Sequence, residues 1–301
     1  DIIAILTTIF GVTTSLGLGT IQISSGLNYV FSVPESFNNQ VIIIAIITLI
    51  GLTSVCLGLD KGIKRLSQVN MILATSLMLF IFIFGPTVFI INALVQNLGS
   101  YLNTVIESAT WTEAYSSTSW QDSWTLFYYT WWFAWAPFVS LFIARISYGR
   151  SIKEFIIGVL FVPSIIVFFW MGIFGNAGIH QVINETSQIN EIVNDNLTVA
   201  LFALLESYPA SMLMSGFTLV IIVTFFVTSS DSGALVASML SSKSHIGIHD
   251  DSPILSRVSW ATFLGIIAAV LLYKGGLTAL QTSVVIFGVP FSIIVVATRI
   301  S

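Results

Sequence analysis

Charge is what this chain has least of. Lys, Arg, Asp and Glu together make up 8% of its 301 residues, against about 25% in a soluble globular domain. Too few charged side chains are present to cover a water-facing surface. Cysteine is nearly absent as well: Cys56 stands alone, which excludes an internal disulfide and a cysteine metal site. Histidine is limited to His180, His245 and His249, all in predicted loops, where none can pair with a buried serine or aspartate. No phosphate-cradling glycine loop and no metal-spaced cluster occurs. An enzyme is therefore not expected, nor a nucleic-acid partner, and no catalytic residue or organic cofactor is predicted. No basic segment precedes the first apolar run as in a signal peptide; the chain opens abruptly at the mouth of a span, as a fragment would.

Apolar residues, by contrast, reach 55%. They gather in runs almost free of charge, such as 41–57, 77–91, 155–174, 212–227 and 261–272. Crossing the hydrocarbon core takes roughly 20 apolar residues as a helix. These runs are too long and too uniform for alternating barrel strands. The expected fold is an all-α polytopic membrane protein forming one transmembrane domain over residues 1–301. Eight spans are predicted, near 1–24, 40–59, 68–98, 123–145, 152–176, 209–234, 254–273 and 279–298. The third is over-long and contains Gly85-Pro86, a place to kink or end it. Residues 99–122 and 177–208 read as polar loops, with 198–207 a short interfacial helix stopped by Pro209. With both termini inside, Lys61, Lys64, Arg65, Arg145, Arg150, Lys153, Lys243, Arg257 and Arg299 lie on the inner side, and only Lys274 lies outside. That bias predicts a multi-pass cell-membrane protein with both ends of the chain cytoplasmic.

The fourth span reads SWTLFYYTWWFAWAPFVSLFIAR. At 100° per residue, Tyr128, Trp131, Trp135, Phe138 and Phe142 fall on one stripe, with Trp132 beside it. The indoles lie within about 5 Å of mid-span, too deep for an interfacial belt. Two readings of the residues stay open. One is packing of large rings in a bundle. The other is a cation–π cage for a quaternary ammonium, which cannot donate N–H hydrogen bonds. No carboxylate lies between Ser123 and Arg145, so a cage there suits a zwitterion better than a bare cation.

The sixth span ends TFFVTSSDSG, residues 224–233. Thr228, Ser229 and a freed carbonyl could hold a small hard cation, especially where a helix unwinds. Equally, such hydroxyls back-bond to their own helix. Asp231, in the inner part of this span and beside an aqueous vestibule, is expected to act as a gate or to support the site from behind. In the first span, Gly11, Ser15 and Gly19 recur every fourth residue, a signal for close helix approach. Thr7, Thr8, Thr13 and Thr14 are further oxygen donors there. The basic run 145–154 reads as a solvated connector.

Residues 124–154, WTLFYYTWWFAWAPFVSLFIARISYGRSIKE, resemble the hallmark of the betaine/choline/carnitine transporter family. Residues 15–28 and 224–233 are similar to two further family segments, in the right order. The resemblance runs over essentially the whole chain. It implies part of a leucine-transporter-type inverted-repeat fold, with this chain matching spans five to twelve of twelve and lacking the first four. It also implies, position by position, that Trp131, Trp132 and Trp135 form the substrate box and that Tyr129 lines the inward exit path. Phe225 (through its carbonyl), Thr228 and Ser229 match the sodium segment. Thr8 and Phe138 match a second proposed sodium site, where Val12 replaces a threonine. Residues 1–24 contain no Lys or Arg, unlike the sodium-independent antiporters, which favours symport.

The expected function is sodium-coupled import of a quaternary-ammonium osmolyte, with glycine betaine ahead of choline and carnitine, in osmoprotection or nutrient uptake. A sodium-independent exchanger is the alternative; a membrane-embedded enzyme or a structural subunit fits less well. A homotrimer within the lipid bilayer is the assembly that the resemblance implies.

Overall fold

The computed structural model describes residues 2–58, 62–116, 118–185, 187–242 and 252–297. Lys61, Lys243, His245, His249 and Arg299 lie outside the described residues, as do positions 1, 59 and 298, which bound three predicted spans.

Among the described residues every regular element is a helix. α1 (Ile2–Phe31), α2 (Phe37–Gly58) and α3 (Lys64–Phe84) are followed by α4 (Thr87–Thr110). Turns of π-type winding at Gln121–Leu126 lead into α5 (Phe127–Ile146). α6 (Ile152–Ile156) continues through a similar stretch at Ile157–Phe161 into α7 (Val162–Ile183). α8 (Ile189–Asp195) and α9 (Ala200–Glu206) are short; α10 (Ser211–Ser241) and α11 (Ile254–Ala297) are long. Among the described residues, seven helical stretches are long and apolar enough to cross a membrane.

The eighth predicted span is the second limb of α11. Its 44 residues are interrupted at Gly276, whose φ of 55° and ψ of −135° are accessible to glycine. Contacts on either side show that the chain reverses there. Arg257 donates to the Val55 carbonyl (3.1 Å) and the Tyr273 ring lies tilted against Phe37 (ring centroids 5.1 Å apart), so the first limb runs antiparallel to α2. Thr14 donates to the Leu280 carbonyl (3.0 Å) and Thr7 to the Phe287 carbonyl (3.1 Å), so the second runs antiparallel to α1. The Thr7 bond falls one turn before Pro290, which has no N–H to offer its own helix.

α1 is the axis of the bundle. It packs along α10, α11, α2 and α5, and the small-residue positions of the sequence are where it is approached. Gly11 faces Ala134, Gly19 faces the Phe226 ring and Gly26 faces the Phe202 ring. A methyl group at any of these three would meet its neighbour.

Two expectations are corrected here. The predicted third span divides at Gly85-Pro86 into α3 and the separate helix α4, so residues 99–110 are helical rather than loop. His180 lies in the last turn of α7, not in a loop. The segment around α9 is helical, over Leu197–Glu206. Phe202, Ala203, Leu204 and Leu205 are buried against the bundle, because four consecutive apolar side chains gain more from the core than from an interface.

Candidate functional site

α5 carries the aromatic cluster, and its contact with α1 decides which rings are free. Ser15 donates its hydroxyl to the Gly11 carbonyl (3.1 Å). The Trp131 indole N–H reaches the same carbonyl and the Ser15 hydroxyl, both at 3.3 Å, and the Trp135 N–H lies 3.4 Å from Gly11 O. Two indoles one turn apart are thus fastened to one backbone oxygen, a use open to a buried tryptophan whose N–H needs a partner. The absence of a side chain at Gly11 lets α5 come close enough for this. Trp135 also meets Phe138 edge-on, with ring centroids 5.5 Å apart, and Phe138 packs with Ile9 and Val12 of α1.

The other rings turn outward. Trp132 is 74% exposed and Tyr129 64% exposed. Together with Tyr128, Phe133, Ala136 and Val295 they line an open hollow of about 540 Å³. The single stripe expected from periodicity is therefore two surfaces: Trp131, Trp135 and Phe138 on α1, and Tyr128, Tyr129 and Trp132 facing away from it. A 100° step between neighbours accounts for the division of Trp131 from Trp132.

The oxygen cluster lies on α10. The Thr228 and Ser229 hydroxyls both donate to the Phe225 carbonyl, at 2.8 and 3.0 Å. That brings the three sequence-predicted oxygens together. Their helix is continuous over Ser211–Ser241, and the two hydroxyls back-bond to their own helix, one of the two readings that the sequence left open. Sequence reasoning missed Asn70. This buried α3 side chain donates through Nδ2 to the Thr224 carbonyl (3.0 Å) and the Thr228 hydroxyl (3.1 Å). Its Oδ1 is buried with no hydrogen-bond partner. A lone asparagine in an otherwise apolar span is the one signal that marks it.

Thr8 is buried in α1, and its hydroxyl has no hydrogen-bond partner. One turn on, Val12 presents only hydrocarbon, packed against Phe138 and Gly233. Asp231 corrects another expectation: it is 0% exposed and lines no aqueous vestibule. Ser54 of α2 donates to its Oδ2, and the Ser232 hydroxyl lies 3.3 Å from Oδ1. Two hydroxyls do for this carboxyl what water would do outside.

Seven helical stretches long and apolar enough to cross a membrane, carrying an aromatic surface and a hydroxyl cluster, define a multi-pass membrane protein. The family model described as "BCCT, betaine/carnitine/choline family transporter" matches residues 1–301. This chain belongs to that family, whose members are transporters. It is 43% identical over 296 residues to the glycine betaine transporter of Acinetobacter baylyi, covering 98% of this chain and 44% of the relative. It is 41% identical over 301 residues to a glycine betaine/proline/choline transporter of Vibrio parahaemolyticus, covering 100% and 53%. The high-affinity choline transport protein of Escherichia coli K12 is 38% identical over 296 residues, covering 98% and 44%. The chain thus spans about half the length of the curated relatives it matches.

Proposed function

We propose that the protein containing this chain imports a quaternary-ammonium osmolyte, glycine betaine before choline, in symport with sodium. The observation that carries this reading is the α5 surface of Tyr128, Tyr129 and Trp132. Its ring faces are open at mid-span, with the helix behind them pinned to Gly11 by Trp131 and Trp135. A trimethylammonium group is held by ring faces without hydrogen bonds, worth about 2 kcal/mol or more per ring once desolvated. Trp132 would take the cationic head and Tyr129 the path towards release, while Trp131 and Trp135 fix the helix. The names of the relatives agree with this substrate class.

Sodium would bind at the α10 cluster. Thr228 and Ser229 would turn their lone pairs, and the Phe225 carbonyl its second, towards an oxygen-seeking ion, with Asn70 keeping Thr228 in place. Thr8 would contribute to a second ion. Asp231 would lock α10 to α2 behind this cluster. Both ends of the chain would be cytoplasmic, a placement that the distribution of Lys and Arg supports. Coupling follows if substrate and ion each bind one conformation more tightly than the other.

Sodium-independent exchange is the second reading, favoured by Val12, which withholds an oxygen beside Thr8. Uptake of labelled glycine betaine into proteoliposomes, with sodium outside or replaced by potassium, separates the two. Accumulation that ignores the replacement rules out symport. Full transport by Trp132→Leu would remove the aromatic reading altogether.

A further inference from the structure

α5 begins without a cap of its own. The residue before its π-type turns, Trp120, gives no side-chain hydrogen bond to the free N–H groups of the helix start, which have no partner within the helix. The missing acceptor comes from further back in the chain. Leaving α4, the chain folds so that the Trp111 and Trp120 rings lie 5.5 Å apart and the Gln121 side-chain amide donates to the Trp111 carbonyl (2.7 Å). Between them, Glu113 adopts a left-handed backbone (φ 60°) and its carbonyl accepts from the Ser116 N–H (3.1 Å).

That turn aims the Glu113 carboxylate at the start of α5. Oε1 accepts from the Thr118 N–H (3.0 Å), the Trp120 N–H (3.2 Å) and the Thr118 hydroxyl; Oε2 accepts from the Gln121 N–H (2.8 Å). A negative charge is favoured at the positive end of the helix dipole. These donors, the Thr118 hydroxyl foremost and the Gln121 N–H next, hold the Glu113 carboxyl below the usual carboxylate range.

We infer that Glu113 is a positioning residue for substrate: by capping α5 from outside the membrane span, it sets the outer end of the helix that presents Tyr128, Tyr129 and Trp132. The inference rests on the substrate reading given above. α5 has two fixed points, the Gly11 carbonyl beneath the indoles and the Glu113 carboxylate at its start. Losing the second leaves Gln121–Leu126 free to rewind from π-type to α-type turns, and each residue moved between these windings rotates the rings relative to the start.

The test uses the full-length protein in nanodiscs and proteoliposomes, with Glu113→Ala, Glu113→Gln and Trp132→Leu. Glu113→Ala is expected to speed amide exchange over residues 118–126 by roughly tenfold, the scale of a lost helix cap, with α1 and α10 unchanged. It should raise the KM for glycine betaine severalfold at nearly constant maximal rate. Glu113→Gln, which keeps one acceptor oxygen, should recover part of both effects. Unchanged exchange, or faster exchange with wild-type KM, overturns the positioning role. Uptake unaffected by Trp132→Leu overturns the substrate reading, and with it this inference, whatever the exchange shows.

Discussion

Ser54 of α2 donates its hydroxyl to the Asp231 carboxyl of α10, joining two helices 177 residues apart in sequence at a point that no solvent reaches. Truncating it takes away the hydroxyl that this oxygen accepts from inside the bundle. Ser54→Ala is expected to cost about 1–3 kcal/mol, read as a lower thermal midpoint in detergent. The neighbouring Thr53, exposed and back-bonded to the Leu49 carbonyl, serves as control, and Thr53→Ala should change little.

Gly276 turns α11 back on itself. A β-branched side chain at its φ and ψ is strained whatever the space around it. Gly276→Val should destabilise the protein by about 1–3 kcal/mol and loosen the second limb from α1. Faster exchange at amides near Leu280 and Phe287 would report it.

Phe202 fills the site beside Gly26 and is fully buried. Phe202→Ala should cost about 3–5 kcal/mol, visible as lost expression or a lower midpoint. Phe202→Leu, which leaves a smaller cavity, should be milder.

Asn70 holds Thr228 by a hydrogen bond that replacement with leucine removes at similar volume. If α10 binds sodium, Asn70→Leu raises the sodium concentration for half-maximal uptake severalfold while the KM for betaine at saturating sodium stays near wild type. Sodium dependence of uptake, measured in both proteins, checks this.

Much of the fold could be read directly from the chain. Apolar run length placed the spans, Gly85-Pro86 marked the break between α3 and α4, and Gly11 and Gly19 marked where helices meet α1. Past position 98 the sequence reads as loop because α4 carries Asn103, Glu107 and other polar side chains on an exposed face, so hydropathy falls where the helix does not. At the site, residue types pointed to Trp131, Trp135, Thr228 and Ser229 without showing which way each faced. Trp132 parts from Trp131 because one step on a helix is 100°. Glu113 and Asn70 left almost no trace. Their roles depend on partners eight and more than 150 residues away, which no local pattern encodes.

Three donors converge on the Gly11 carbonyl: the Ser15 hydroxyl and the two indoles of α5. A backbone oxygen can be approached over a broad range of directions without losing its bonds, so it serves as a bearing rather than a weld. If α5 rocks against α1, it turns about Gly11. Ring faces close to that fulcrum then sweep little, while both ends of the helix swing far. Tyr128, Tyr129 and Trp132, near that fulcrum, would then keep their spacing while the two helix ends move.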